Sequence, residues 1–173
     1  WQDTLGRAIE LGADHMSLYA LGIEPGTPLG AEVAAGRVPD PDPDVAADMY
    51  LLARERLGDA GYRHYEISNW AKPGRESRHN LAYWMNGPYL GVGPGAHSSL
   101  PGRRFANMKS PRGYISRMKG RLPQRGDGDP VEAMRAGGPV AEIEPSTESL
   151  EMADTMMMGL RLDPGVSVAR FRD

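Results

Sequence analysis

Arg78-His79-Asn80-Leu81-Ala82-Tyr83-Trp84 is followed almost at once by Gly91-Val92-Gly93-Pro94-Gly95-Ala96-His97-Ser98, so two of the four histidines and a dense set of polar and aromatic groups share a short stretch. An imidazole can ligate iron through one ring nitrogen while the other is oriented by a neighbour, and Asn80 stands beside His79. The ordinary alternative is a hydrogen-bonded or surface histidine. Tyr83 and Trp84 have apolar bodies and polar tips, suited to stacking on a flat ligand or, more commonly, to packing a helix. Asn80 could equally cap its own helix. Gly91, Gly93 and Gly95 make a backbone that a ligand can approach closely, or a tight turn between strands. They do not form a dinucleotide fingerprint, because no strand-turn-helix with a downstream acid follows.

Beyond this stretch, Glu66 and Asn69 alternate along an expected strand. Glu66 can pair with Arg75 or Arg78, or accept a hydrogen bond from a ligand. Arg103 and Arg104 suit carboxylates through charge-assisted hydrogen bonds, although arginines beside a Pro-Gly turn are usually solvated. His15 reads as structural, His64 as a surface residue and Tyr19 as core. Met152 and Met156 to Met158 fit flexible core filling. Asp40, Asp42 and Asp44 alternate with prolines and lack the glycine and terminal glutamate of a calcium loop.

The elements that must position these groups follow from periodicity. Leu5, Ala8, Ile9 and Leu11 mark a helix closed by Gly12. Met16 to Gly22 reads as a buried strand, with Tyr19 and Ala20 at its C-terminal end. The turn-rich Glu24-Pro-Gly-Thr-Pro segment precedes a helical turn over 31–36. Asp44 is expected to cap a helix running from Val45 to Ala60 and ended by Gly61. Tyr65 to Asn69 is expected as the next strand. Two helix-to-strand steps predict parallel strands joined by crossovers, hence an α/β fold built as a partial (β/α) barrel segment. His79 to Trp84 is expected to be a short helix, Tyr89 to Val92 and Arg103 to Asn107 strands, and Ser110-Pro111 the start of a helix to about Arg121. Residues 123–145, rich in Gly, Asp and Pro in their first part, read as a linker or mobile loop between a domain over 1–122 and the start of a helical C-terminal domain over 146–173.

Of the 173 residues, 40% are hydrophobic and 25% charged, with a formal net charge of -3, which argues against bulk attraction to nucleic acid or an anionic membrane. No apolar run approaches membrane-span length and no signal peptide opens the chain, so a soluble cytoplasmic protein is expected. There are no cysteines, which excludes disulfides and any all-cysteine iron-sulfur or zinc site in this chain. An opening Trp1 and a close at Phe171-Arg172-Asp173, in what reads as a new helix, suggest a fragment.

Five segments in order carry a family resemblance: His15-Met-Ser-Leu-Tyr-Ala-Leu21, Glu24-Pro-Gly-Thr-Pro-Leu29, Tyr65-Glu-Ile-Ser-Asn-Trp70, the His-Asn-x-x-Tyr-Trp run from His79, and Gly93-Pro-Gly-Ala-His-Ser98. Together they resemble the oxygen-independent coproporphyrinogen III oxidase family of radical S-adenosylmethionine (SAM) proteins. The histidine run resembles its heme-chaperone (HemW-type) branch more than the true coproporphyrinogen dehydrogenases. Ser77 is a departure, since relatives of that branch often carry cysteine there.

The resemblance implies a [4Fe-4S] cluster on a three-cysteine loop upstream of Trp1, which cleaves SAM to a 5′-deoxyadenosyl radical. On that basis this chain is the back half of the catalytic domain and is silent alone. The resemblance also implies a SAM contact at Ala20 and backbone contacts with SAM at Ala96 and His97. Heme contacts are expected at His79, Asn80, Tyr83 and Trp84, with His79 as candidate iron ligand and Glu66 as a further candidate. Two functions compete: a chaperone passing heme to apo-hemoproteins, which the histidine run favours, and an oxidase converting coproporphyrinogen III to protoporphyrinogen IX. A plain α/β module for a phosphorylated metabolite is the reading that stands without the family. Barrel edges left open favour self-association.

Overall fold

The computed structural model describes residues 1–120 and 128–169. Arg121, the first part of the expected linker and Phe171 to Asp173 lie outside the described residues. The chain divides into two compact units, Trp1–Ser77 and Arg78–Asp173.

The first unit runs α1 (Gln2–Glu10), β1 (His15–Ser17), α2 (Pro28–Ala34), α3 (Pro43–Asp59), β2 (Arg63–Glu66) and β3 (Asn69–Ala71). Helix α3 starts earlier than its spacing suggests. Asp42, not Asp44, is the cap, its carboxylate accepting from the N–H groups of Asp44 at 2.8 Å and Val45 at 3.2 Å, with Pro43 pre-set at the first helical position. It ends at Ala60, after which Gly61 takes φ +84°.

The expected strand over 65–69 is instead a hairpin. Strands β2 and β3 pair antiparallel with Glu66 opposite Asn69, leaving Ile67 and Ser68 as the turn. Ser68 and Asn69, short polar residues at and after the bend, and Ser68 O accepting from Leu18 N at 2.9 Å, favour reversal over continuation. Strand β1 then pairs with β3, giving the order β1-β3-β2. All described strand pairs are antiparallel, which corrects the expected adjacent parallel pairing. The two helix-to-strand steps still run the same way, because β1 and β2 both oppose β3, but β3 stands between them. Strand β1 stops at Ser17, so Tyr19 and Ala20 lie in the loop beyond it.

The core sits between this sheet and helices α1 and α3, where Leu5, Met16, Ala53, Leu57, Tyr62 and Trp70 pack together. Met16 and His64 flank Trp70 across the sheet, so all three share the helix-covered face. A register shift between His64 and Glu66 makes Tyr65 the extra residue of a bulge. Consequently Glu66, which strict alternation would aim at the core face, falls on the opposite face with Asn69 and Ser17.

The second unit contains α4 (Arg78–Trp84), β4 (His97–Leu100), β5 (Arg103–Asn107), α5 (Pro111–Lys119), α6 (Pro130–Gly137), β6 (Val140–Pro145) and α7 (Glu148–Gly159). Strands β4, β5 and β6 form an antiparallel sheet in sequence order. Pro101 and Gly102 turn the first hairpin, with Gly102 at φ +77°. Tyr89 contributes one bridge to Ser99 rather than a full strand.

Residues 130–145 are not a linker. Asp129 caps α6 by accepting from Val131 N at 2.8 Å, and β6 completes the sheet through pairs such as Phe105–Ile143 and Arg104–Glu144. The alternation of Glu142, Ile143 and Glu144 is a strand signal that the neighbouring glycines and prolines mask. Thr147 caps α7, its hydroxyl accepting from Leu150 N at 3.3 Å.

Candidate functional site

Helix α4 places His79 and Tyr83 four residues apart on one face. Their rings meet edge to face at 4.7 Å, and Tyr83 meets Tyr89 in the same way at 4.5 Å. This row of three rings ends in the exposed imidazole of His79, which makes no hydrogen bond among the described residues. Trp84 is half-buried under the Arg161 guanidinium at 5.3 Å, and its Nε1 has no hydrogen-bond partner among the described residues. Asn80 neither caps the helix nor faces His79. It lies inside α4, and adjacent helical residues diverge by about 100°.

The glycine run is held by its own chain. A Cβ on Gly91 would sit 2.1 Å from the His97 carbonyl oxygen, so the close backbone approach there is to β4. Asn107 donates from Nδ2 to the carbonyls of Gly91 at 3.2 Å and Gly93 at 3.0 Å, while Gly93 N donates to the Tyr114 hydroxyl at 3.2 Å. Gly93 and Gly95 take φ of +107° and +70°, which only glycine adopts without strain. The Ala96 N–H donates to Gly93 O at 3.3 Å and its carbonyl accepts from Asn107 N at 2.9 Å. His97 opens β4 with an exposed side chain. It borders a cavity of about 180 Å³, shared with Tyr89, Arg104, Glu142 and Glu144.

Arg103 and Arg104 do not form a joint anion clamp, because successive strand residues point to opposite faces. Arg103 pairs with Asp129, and Arg104 Nη2 lies 2.7 Å from the buried Asp154 on α7. The Arg103 guanidinium, with help from Val131 N–H, holds the Asp129 carboxyl below the usual carboxylate range.

In the first unit, Ala20 lines an apolar cavity of about 380 Å³ together with Trp1, Leu18, Tyr19, Leu21 and Tyr50. Tyr19 is 74% exposed and not a core residue. His15 Nε2 and the Tyr65 hydroxyl are hydrogen-bonded at 2.7 Å, and the half-buried His64 packs on Trp70 at 4.7 Å rather than facing solvent. Glu66 is 1% exposed and accepts from Asn69 Nδ2, while Asn69 Oδ1 accepts from the Ser17 hydroxyl. Arg75, an expected partner of Glu66, lies 3.5 Å from Asp14 instead.

Asn107, Tyr114 and Tyr89 are site-forming residues that sequence reasoning misses. An amide closing the apolar strand end Phe105-Ala106 is the signal that would have found Asn107, whereas Tyr114 carries none.

No family model matches the chain. The heme chaperone HemW of Mycobacterium tuberculosis (strain CDC 1551 / Oshkosh) is 38% identical over 163 residues, covering 94% of this chain and 38% of the relative. HemW of Synechocystis sp. is 38% identical over 170 residues, covering 98% and 38%. HemW of Bacillus subtilis (strain 168) is 33% identical over 172 residues, covering 99% and 41%. The structure is similar to coproporphyrinogen III oxidase (HemN) from Escherichia coli, a radical SAM enzyme, with TM-score 0.62 and 17% identity over 92% of this chain and 36% of that chain.

The chain belongs to the HemW and HemN family.

It spans about two fifths of the length of the curated HemW relatives. The α/β fold is shared with HemN. Cluster ligation does not fit this chain: it has no cysteine, and among the described residues no three His, Asp or Glu side chains gather to hold a metal ion. Among the described residues no helix is long and apolar enough to cross a membrane.

Proposed function

We propose that this chain is the stretch of a heme-binding chaperone that helps hold heme for delivery to apo-hemoproteins, with His79 as the residue that would ligate the heme iron. The observation that carries this reading is the identity to HemW relatives over 94–99% of the chain. The geometry of α4 supports it. An exposed imidazole without a hydrogen-bond partner among the described residues keeps a nitrogen available for iron, and the Tyr83 ring restrains its rotation. Tyr83 and Trp84 add apolar surface beside it, and Asn80 adds a polar edge. Because the cluster has no ligands here, this stretch performs no radical step.

In the whole protein, Ala20 would touch SAM from the 380 Å³ cavity. Ala96 and His97 would do so from the start of β4, through the Ala96 methyl and the His97 side chain, since the Ala96 N–H and carbonyl already have partners. On the same reading, residues 1–122 belong to a partial (β/α) barrel, 146–173 begin a helical domain, and the whole protein is cytoplasmic.

The test is an anaerobic assay of the full-length protein with SAM, a reductant and coproporphyrinogen III, beside a hemin titration. Stoichiometric heme retention without protoporphyrinogen IX is the expected result, with heme affinity at least tenfold weaker and an altered Soret band in His79→Ala. Turnover to protoporphyrinogen IX would establish the oxidase instead, and an unchanged Soret band and affinity in His79→Ala would remove the iron ligand.

A further inference from the structure

Helix α4, which carries His79 and Tyr83, has 7 residues and buries none of them fully. A helix of two turns is marginal by itself in water, so the position of α4 depends on the contacts that tie it to its neighbours. Its C-terminal end is firmly tied. Gly87 N donates to Ala82 O and Asn86 N to Tyr83 O, both at 2.8 Å, the paired closure that ends a helix on a left-handed residue. That residue is Asn86, at φ +46°, and no other described non-glycine residue takes a positive φ. Glycine would fill the position with less strain, so the turn alone does not explain the side chain.

The side chain bonds α7. Asn86 Nδ2 donates to the Thr155 hydroxyl at 3.1 Å, and the Glu151 carbonyl lies 3.5 Å from the same nitrogen. A carbonyl can only accept, which orients the amide with its nitrogen toward α7. Beside Thr155, the buried Asp154 pairs with Arg104 of β5 at 2.7 Å, and about one turn earlier the Glu151 carboxylate accepts from Gly102 N at 3.3 Å. Helix α7 is therefore pinned to the β4–β5 hairpin next to Thr155, and α4 hangs from that fixed point. The Arg161 guanidinium over the Trp84 ring steadies the same end. His79 lies seven residues before Asn86, about 10 Å along the axis, so a tilt about the tethered end displaces the imidazole most.

We propose that Asn86 is a positioning residue of the heme site: by holding α4 to α7 through Thr155, it fixes where the His79 imidazole is presented to iron. Heme affinity then depends on α7, a helix to which no heme contact is assigned. The inference rests on the reading of His79 as the heme ligand.

The experiment titrates hemin into the full-length wild type and into Asn86→Gly, Thr155→Val, the double variant and His79→Ala, with thermal unfolding of each. Glycine keeps the left-handed turn and removes only the tether, so Asn86→Gly should unfold close to the wild-type temperature. Its heme affinity should nevertheless be weaker by about threefold or more, with a displaced Soret band. Thr155→Val keeps the shape of the side chain, removes the hydroxyl and should give the same change. The double variant should be no worse than either single one, because both substitutions break one bond. A lowered unfolding temperature with an unchanged Soret band and affinity marks a purely structural contact and overturns the proposal, as do effects that simply add in the double variant. Wild-type spectra and affinity in both single variants, while His79→Ala alters them, overturn the positioning role alone. A silent His79→Ala removes the iron ligand and the positioning role with it.

Discussion

At Gly91 the backbone passes so near β4 that the space for a methyl group is already filled by a carbonyl oxygen. Gly91→Ala should therefore force the strand aside and destabilise the protein by about 1–3 kcal/mol, read as a lower urea midpoint. Gly58 is the contrasting case, inside α3 with nothing near the added atom, so Gly58→Ala should stabilise by about 0.5–1 kcal/mol. The same chemical change has opposite signs because one glycine serves a close approach and the other only weakens a helix. The glycine run was legible in the sequence as a backbone needing room, but its partner was not, since Asn107 and Tyr114 reach it from 14 and 21 positions away. His79 and Tyr83 were legible as neighbours because helical spacing alone brings them together. Glu66 was legible as a candidate while its environment was not, because a bulge changes which face a residue occupies without leaving a mark in composition.

Among the elements, α6 shows how a helix is tied to a sheet by one residue. Asp129 caps α6 and pairs with Arg103 of β5, and both interactions need its carboxyl ionised. Its carboxyl sits below the ordinary range in the folded protein, so its contribution is present above the unfolded value of about 4 and is lost as pH falls through the lower folded value. The protection of α6 amides, taken relative to their intrinsic exchange rates, should fall in acid and do so less in Asp129→Asn, whose pH dependence has been removed. The pair is exposed, so added salt should shrink the effect. At the start of α7, Thr147→Ala should cost about 1 kcal/mol through loss of its cap. Helices were the legible part of the fold: Gly12, Gly61 and Ser110 each mark an end that the structure keeps. Strands were less legible because β1 and β3 have three residues each, too few to establish alternation, and because antiparallel pairing depends on partners far along the chain.

For the molecule as a whole, the absence of thiols sets a firm chemical boundary. Incubating this chain anaerobically with iron and sulfide should yield no cluster absorption, and SAM should not be cleaved by it. Growth of a [4Fe-4S] spectrum on the isolated chain would contradict that boundary. The order β1-β3-β2 has a further consequence, one of timing. The β2–β3 hairpin closes over two turn residues, but Ser17 and Asn69 lie 52 positions apart. Closing the long loop has a larger entropic cost and comes after the short one. As a ribosome extrudes this sequence, Leu5 and Met16 must therefore wait, uncovered, until the hairpin that will shelter them has been synthesised. Leu5 and Met16 are thus exposed to aggregation for as long as the 52 positions from Ser17 to Asn69 are being made.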